Sequence, residues 1–230
     1  MEFTLLVGVV AGIAFVLAGL VKGVIGMGLP TVVVGIVSLV ASPAHAAALL
    51  MLPSLATNTW QAASGPHLAA MARRLAGLLV ACSLGIATGS GWLKPDAGRW
   101  AVAVLGTLLL LYAIVCLAKV QFRVPRRIEW WLGPVVGYLT GLVTAATGIF
   151  VLPAVPYIQA LEVDRDELVQ GLGLSFATAS IMLTASLTYT GVMTGAIAGA
   201  SLAAIVPAIA GMVLGQRIRR RISATAFRKW

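Results

Sequence analysis

Acidic side chains are scarce in this 230-residue chain: seven, against sixteen lysines and arginines. Glu2, Asp96, Glu129, Glu162, Asp164, Asp166 and Glu167 all fall in polar loops or at the ends of apolar segments. No carboxylate is left inside an apolar run to hold sodium or relay a proton. Cysteine is nearly absent as well. Cys82 and Cys116 sit within apolar runs, without metal-ligand spacing and without a disulfide framework, so no metal site is expected. Neither cysteine has an evident base, and His67 lies in a loop without a nucleophile, so no catalytic residue and no enzyme is expected. The glycine-rich stretch near the start lacks the βαβ setting and distal acid of a dinucleotide fingerprint, and no cofactor is expected. The opening Met-Glu-Phe-Thr has no basic n-region, so residues 4–21 read as a retained first span rather than a cleaved leader.

What is present is apolar. The chain is 60% hydrophobic and 10% charged, with a mean hydropathy of +1.01. No water-soluble domain of this length hides that much apolar surface, so the expected class is an all-α polytopic membrane protein partnered by the lipid bilayer. The net charge of +9 would suggest nucleic acid in a soluble protein. Here the cations cluster in short loops, a positive-inside pattern that sets orientation. No basic helix interleaved with aromatics appears, and nucleic acid is excluded as a partner.

A spanning helix needs about 20 apolar residues. Candidate segments fall at 4–22, 29–41, 44–64, 74–93, 99–118, 129–147, 149–161, 168–189 and 192–215, giving eight or nine membrane segments. The second and seventh are short, and loop charge decides whether they cross. If both cross, with the N-terminus outside, the basic stretches at 73–74, 119–127 and 217–221 all fall on the cytoplasmic side. If both merely dip in and return, with the N-terminus inside, the last of these lands outside. Crossing is favoured.

The order of segments repeats. The first four answer to 129–147, 149–161, 168–189 and 192–215; Ser54-Leu-Ala-Thr57 answers Ser175-Phe-Ala-Thr178, and Gly85/Gly89 answer Gly211/Gly215. Loop charge flips between the copies. This predicts two inverted-topology repeats with broken helices, 1–118 and 119–230, in one integral membrane domain. The second copy stops where a counterpart of 99–118 would begin, through truncation or because this chain lacks that span. Glycines at 8/12, 85/89, 133/137/141 and 195/199 form small-residue faces that let helices approach closely. Trp92, Trp100, Trp130 and Trp131 fall at segment ends, as interfacial anchors do. The polar loop at 162–167 reads as a solvated turn, with Asp166 a possible cap for the helix that follows.

Chemistry concentrates at two interruptions. Gly19-Leu-Val-Lys-Gly-Val-Ile-Gly-Met-Gly-Leu-Pro30 carries one lysine, four glycines and a proline between two apolar runs. Gly141-Leu-Val-Thr-Ala-Ala-Thr-Gly-Ile-Phe-Val-Leu-Pro153 stands at the matching place in the second copy. Broken segments in corresponding positions point to a transport site. Lys22 is the fixed charge nearest an apolar break; its competing reading is a cation at a helix end that snorkels to the cytoplasmic face. A cation beside Gly26, Gly28 and a half-helix opening at Pro30 makes an anion site. Thr147, Gly148 and Pro153 take the matching place without a cation, and one site forms if both breaks reach the midplane. Thr57, Asn58 and Gln61 share a helical face, and Gln170, Ser175 and Thr178 are their rough counterparts. Such residues either glue helices together or complete an anion cage.

The stretch 19–30, followed by Leu52-Pro-Ser-Leu-Ala-Thr-Asn58, Gly148-Ile-Phe-Val-Leu-Pro153 and the terminal Gly211-Met-Val-Leu-Gly-Gln-Arg-Ile run, resembles the TauE/SafE sulfite exporter family over nearly the whole chain. The resemblance implies a bacterial inner-membrane permease for sulfur-containing or carboxylate anions. The chain departs from the family pattern at Ile149-Phe150, where the second glycine run is usually richer, and in the missing last helix. The expectation is therefore an anion transporter working by alternating access on a small anionic solute, with a homo-oligomer as a candidate assembly. The rivals are an anion-selective channel, which would pass many ions per opening, and a membrane scaffold, which would tolerate loss of Lys22.

Overall fold

The computed structural model describes residues 5–93, 98–117 and 123–221, and the fold below is that of these residues. It is all-helical, with no strand among the described residues: α1 (Leu5–Ile25), α2 (Leu29–Val37), α3 (Pro43–Ala63), α4 (Leu68–Arg74), α5 (Ala76–Thr88), α6 (Gly98–Leu117), α7 (Arg126–Thr147), α8 (Ala154–Gln159), α9 (Arg165–Tyr189), α10 (Gly195–Ala203) and α11 (Ile205–Arg221). Leu6–Ile25, Asp166–Tyr189 and Gly195–Ile218 are each long and apolar enough to cross a membrane, and α4 with α5, bent by 65°, would make a fourth span. The chain is thus a helical membrane protein. The polar residues of α3 (His45, Thr57, Asn58, Gln61) and the charged first turn of α7 lower the mean hydropathy of those two helices.

Local chemistry sets the helix ends. Ser42 caps α3 by accepting from the His45 amide, with Pro43 at the start, where its missing N–H costs nothing. The cap of α9 is Asp164, not Asp166: its carboxylate accepts from the amides of Asp166 and Glu167, and Glu167 reaches back to the Asp164 amide. Asp166 sits instead in the first turn, where its charge favours the helix dipole. Within α3, Pro53 cannot donate to the Leu49 carbonyl. Ser201 of α10 repairs that gap, donating to Leu49 O at 2.8 Å and accepting from the Leu52 amide at 3.2 Å.

Glycine decides the closest helix contacts. A Cβ on Gly19 would stand 2.2 Å from Ala208 O, one on Gly23 2.2 Å from Met212 O, and one on Gly211 2.1 Å from Val16 O. These pairings advance together along both helices, so α1 and α11 run parallel with backbones nearly touching. The same holds for α5 and α7, where Gly137 meets Leu78 O at 2.2 Å and Gly141 meets Cys82 O at 2.3 Å. Gly8, Gly12, Gly195 and Gly199 meet nothing within 4 Å, so half of the expected glycine faces pack and half do not.

Directions follow from the contacts along α3. Ser201, just ahead of α11, binds at Leu49 and Leu52, whereas Lys22, near the end of α1, reaches Thr57 and Asn58. Helices α1 and α11 therefore run with α3. The start of α7 is tied through Glu129 to Arg74, beside the α4–α9 contact of Met71 and Leu75 with Gly171, while its end at Gly148 abuts Ala47. Helices α5 and α7 therefore run against α3. So does α9, which meets α3 at Asn58–Ser180, Gln61–Val169 and Gly65–Gln170. Because α1 and α3 share a sense, as do α7 and α9, the segments 26–42 and 148–164 must each carry the chain back. Arg73–Arg74, Arg123, Arg126–Arg127 and Arg217 consequently gather at one end of the bundle. Trp92, Trp130 and Trp131 are exposed near helix ends, as anchors are.

Candidate functional site

Both interruptions fall where glycine predicts them. Gly26 (φ 90°), Gly28 (φ 113°) and Gly148 (φ 75°) occupy left-handed conformations that other residues enter at a cost. At Gly28 a Cβ would also strike the Val21 side chain at 2.8 Å. Pro30 is buried in the first turn of α2, and Pro153, which follows Leu152 in a cis peptide bond, stands at the N-terminal boundary of α8.

Lys22 is the centre of the site. Its side chain is 5% exposed, in the last turn of α1, and does not snorkel into water. Its Nζ donates to Thr57 Oγ1 at 2.9 Å and to Asn58 Oδ1. The Thr57 hydroxyl donates to Pro53 O at 2.8 Å, and Asn58 Nδ2 donates to Ser180 Oγ of α9 at 3.3 Å. Helices α1, α3 and α9 are thus joined through Lys22 and Asn58. Among the described residues the ion pairs are Arg74–Glu129 and Arg123–Glu162, and no carboxylate pairs with Lys22. A buried charge without a counter-ion is expensive, and an anion is what relieves it. Asn58 lies five residues inside the end of α3, about 8 Å at the helical rise of about 1.5 Å per residue.

Of the residues expected on one α3 face, Thr57 and Asn58 join Lys22 and Gln61 does not; Gln61 donates to Val169 O at 3.0 Å. Gln170 is further committed. It donates to Ala62 O and Gly65 O and accepts from the His67 amide, fastening the turn after α3 onto α9. Ser175 is buried on α9 and Thr178 half-buried there; Thr178, two residues from Ser180, points away from it. The Gly26 amide is spent on Lys22 O and the Gly148 amide on Thr144 O, while Thr147 Oγ1 accepts from Ile149. The glycines around Lys22 have a different role from making room for a solute: Gly19 and Gly23 bring α11 against α1.

The two breaks do not share one level. Lys22 touches α3 at residues 57 and 58 and Gly148 touches it at Ala47, a separation of about 16 Å along the helix at about 1.5 Å per residue. Where the returning segments do converge, Thr31, Ile149 and Leu152 line a cavity of about 10 Å³ with Leu108, Leu109 and Val143. Its lining is apolar apart from Thr31, whose hydroxyl is bonded to Gly28 O. The cation and the junction are therefore separate places. Sequence reading did not single out Ser180 or Ser54 as site residues. The first shows only through the α3–α9 pairing, but Ser54, four residues before Asn58 on the same face, was legible from spacing.

Apolar helices packed through glycine, returning broken segments and a buried unpaired cation define an integral membrane protein with an internal polar centre. The family model described as Sulfite exporter TauE/SafE matches residues 11–230, and the chain belongs to that family. It is thereby a membrane transport protein of the sulfite-exporter kind, which is the resemblance read from the glycine-rich stretches. No curated protein and no solved structure matches the chain.

Proposed function

We propose that the protein carries small anions, sulfur oxyanions or organosulfonates and related carboxylates, across a bacterial inner membrane by alternating access, with Lys22 supplying the attracting charge. The observation that carries this reading is the burial of Lys22 with hydroxyl and amide partners and no carboxylate among the described residues. Thr57 and Asn58 orient the ammonium group, and an anion entering beside it replaces water with fixed donors. The glycine breaks at Gly26, Gly28 and Gly148, with Pro30 and Pro153, let short segments recross the bundle. On this reading Gln61, Thr147, Gln170, Ser175 and Thr178 shape the path rather than hold the charge.

Two inverted repeats within nine crossings are the architecture we infer, with the arginine-rich end in the cytoplasm. Support comes from directions: α7, α9 and α11 each run opposite to α1, α3 and α5, their counterparts. The pairing is also reciprocal, since the first helix of each copy packs on the helix at the fourth-segment position of the other, α1 on α11 and α7 on α5. Flux of labelled sulfite, thiosulfate, sulfonates and short carboxylates in proteoliposomes tests the function. Lys22→Ala should abolish saturable flux while the protein still reaches the membrane, and Lys22→Arg should keep part of it. Undiminished flux in Lys22→Ala would overturn the proposal.

A further inference from the structure

Buried hydroxyl groups on these helices usually spend their proton on the preceding turn. Thr57, Thr140, Thr144 and Thr147 all donate to a carbonyl four residues back. Ser54 does not. It is 0% exposed, and its hydroxyl has no hydrogen-bond partner among the described residues. A buried polar group left unpaired in a packed helix needs an explanation, and a bound ligand is one. Ser54 stands three and four residues before Thr57 and Asn58, so it lies on the face that holds the Lys22 ammonium.

Across from it, Ser180 of α9 is equally buried and accepts from Asn58 Nδ2. Its oxygen serves as acceptor in that bond, which leaves its own proton available. Lys22 has three N–H bonds and uses two of them, on Thr57 and Asn58. Three helices therefore each bring one unspent donor to the surroundings of Asn58: an N–H from α1, an O–H from α3 and an O–H from α9. Asn58 links them, its carbonyl turned to the cation and its amide to Ser180. A group of donors without a competing carboxylate suits a small anion with several oxygens and rejects a cation.

We infer that Ser54 and Ser180 are direct ligands of the transported oxyanion, completing a three-helix cradle with Lys22. This rests on the anion-transport reading of the same site and adds the residues that read the shape of the solute. The test uses the purified full chain, with sulfite as probe and chloride as comparison. Sulfite-dependent thermal protection is measured in detergent, and KM and Vmax are measured in proteoliposomes. Ser54→Ala and Ser180→Ala are each expected to raise KM for sulfite about tenfold, the loss of one hydrogen bond to a charged group, with Vmax per folded molecule changed less than threefold. Ser54→Ala should melt no lower than wild type without sulfite, since it removes an unpaired buried group, and should lose most of the protection by sulfite. Ser54→Cys, which keeps the volume with a weaker donor, should fall between the two.

Ser38, the other buried hydroxyl without a partner among the described residues, closes α2 and supplies the control. Ser38→Ala should leave KM unchanged. Wild-type KM and wild-type sulfite protection in Ser54→Ala would overturn the assignment of Ser54 while leaving the anion reading standing. No protection and no saturable sulfite flux in the wild type, at concentrations where chloride is also inert, would overturn both.

Discussion

A single methyl group placed on Gly211 should separate two helices. In the native packing a Cβ there would lie 2.1 Å from Val16 O and 3.0 Å from the Leu20 and Val16 backbones. Ordinary contact begins near 3.4 Å, so α1 and α11 must part by about 1.3 Å, and neither partner is a side chain that can swing aside. Overpacking of this kind costs about 1–3 kcal/mol, partly offset by the better helix propensity of alanine, worth about 1 kcal/mol. At roughly 2–4 °C per kcal/mol for a chain of this size, Gly211→Ala should melt several degrees below wild type in detergent. Gly141→Ala, 2.3 Å from Cys82 O, should behave alike at the α5–α7 contact. Gly8→Ala and Gly199→Ala have open space around them and should melt at or slightly above wild type. Thermal unfolding followed by size-exclusion chromatography would check all four. The packing account is refuted if Gly211→Ala and Gly8→Ala melt within a degree of one another.

Further outcomes follow from other features. Lys22→Met should lose transport yet unfold no earlier than wild type, because removing an unpaired buried ammonium offsets the roughly 1–3 kcal/mol of leaving Asn58 Oδ1 without its donor; a large fall in melting temperature would mean the lysine is structural. Ser201→Ala should destabilise by about 1–3 kcal/mol, since it exposes the Pro53 gap at Leu49 O and frees the Leu52 amide; Ser201→Thr, measured by the same melt, should recover part of the loss if the hydroxyl is what matters. Arg74→Lys should lower stability almost as much as Arg74→Ala, because the guanidinium bridges both Glu129 oxygens and Leu161 O at once, a geometry an ammonium cannot reproduce. In whole cells, a cysteine at position 189, where Tyr189 is exposed, should react with a membrane-impermeant maleimide added outside, and one at 218 only after permeabilisation; equal labelling would refute the inverted arrangement.

Much of this was legible in the chain. Glycine carries its information in the backbone, so the breaks at Gly26, Gly28 and Gly148 and the close approach at Gly85, Gly137 and Gly141 could be read from the chain, whereas the same spacing at Gly8/Gly12 and Gly195/Gly199 packs against nothing and the α1 contact of Gly211 and Gly215 was not foreseen. Loop arginines likewise announced which ends lie together. The levels of the two breaks were hidden, because depth within a bundle depends on contacts with α3 and not on local pattern. The roles of Gln61 and Gln170 were hidden for a related reason. A buried glutamine in a membrane helix looks the same whether it awaits a solute or holds a turn, and only its partners at Val169, Ala62, Gly65 and His67 decide.

The pairing of α1 with α11 carries a consequence for biosynthesis. Roughly 180 residues separate the end of one helix from the start of the other, so at about 5–20 residues per second the first helix waits on the order of ten to forty seconds for its permanent neighbour. During that delay the Gly19–Gly23 face of α1 lacks the helix that covers it, although the partners of Lys22 on α3 and α9 are already made. Newly made protein is thus most vulnerable to quality control before α11 arrives, and a translational pause shortly before α11 would lower yield more than one placed early.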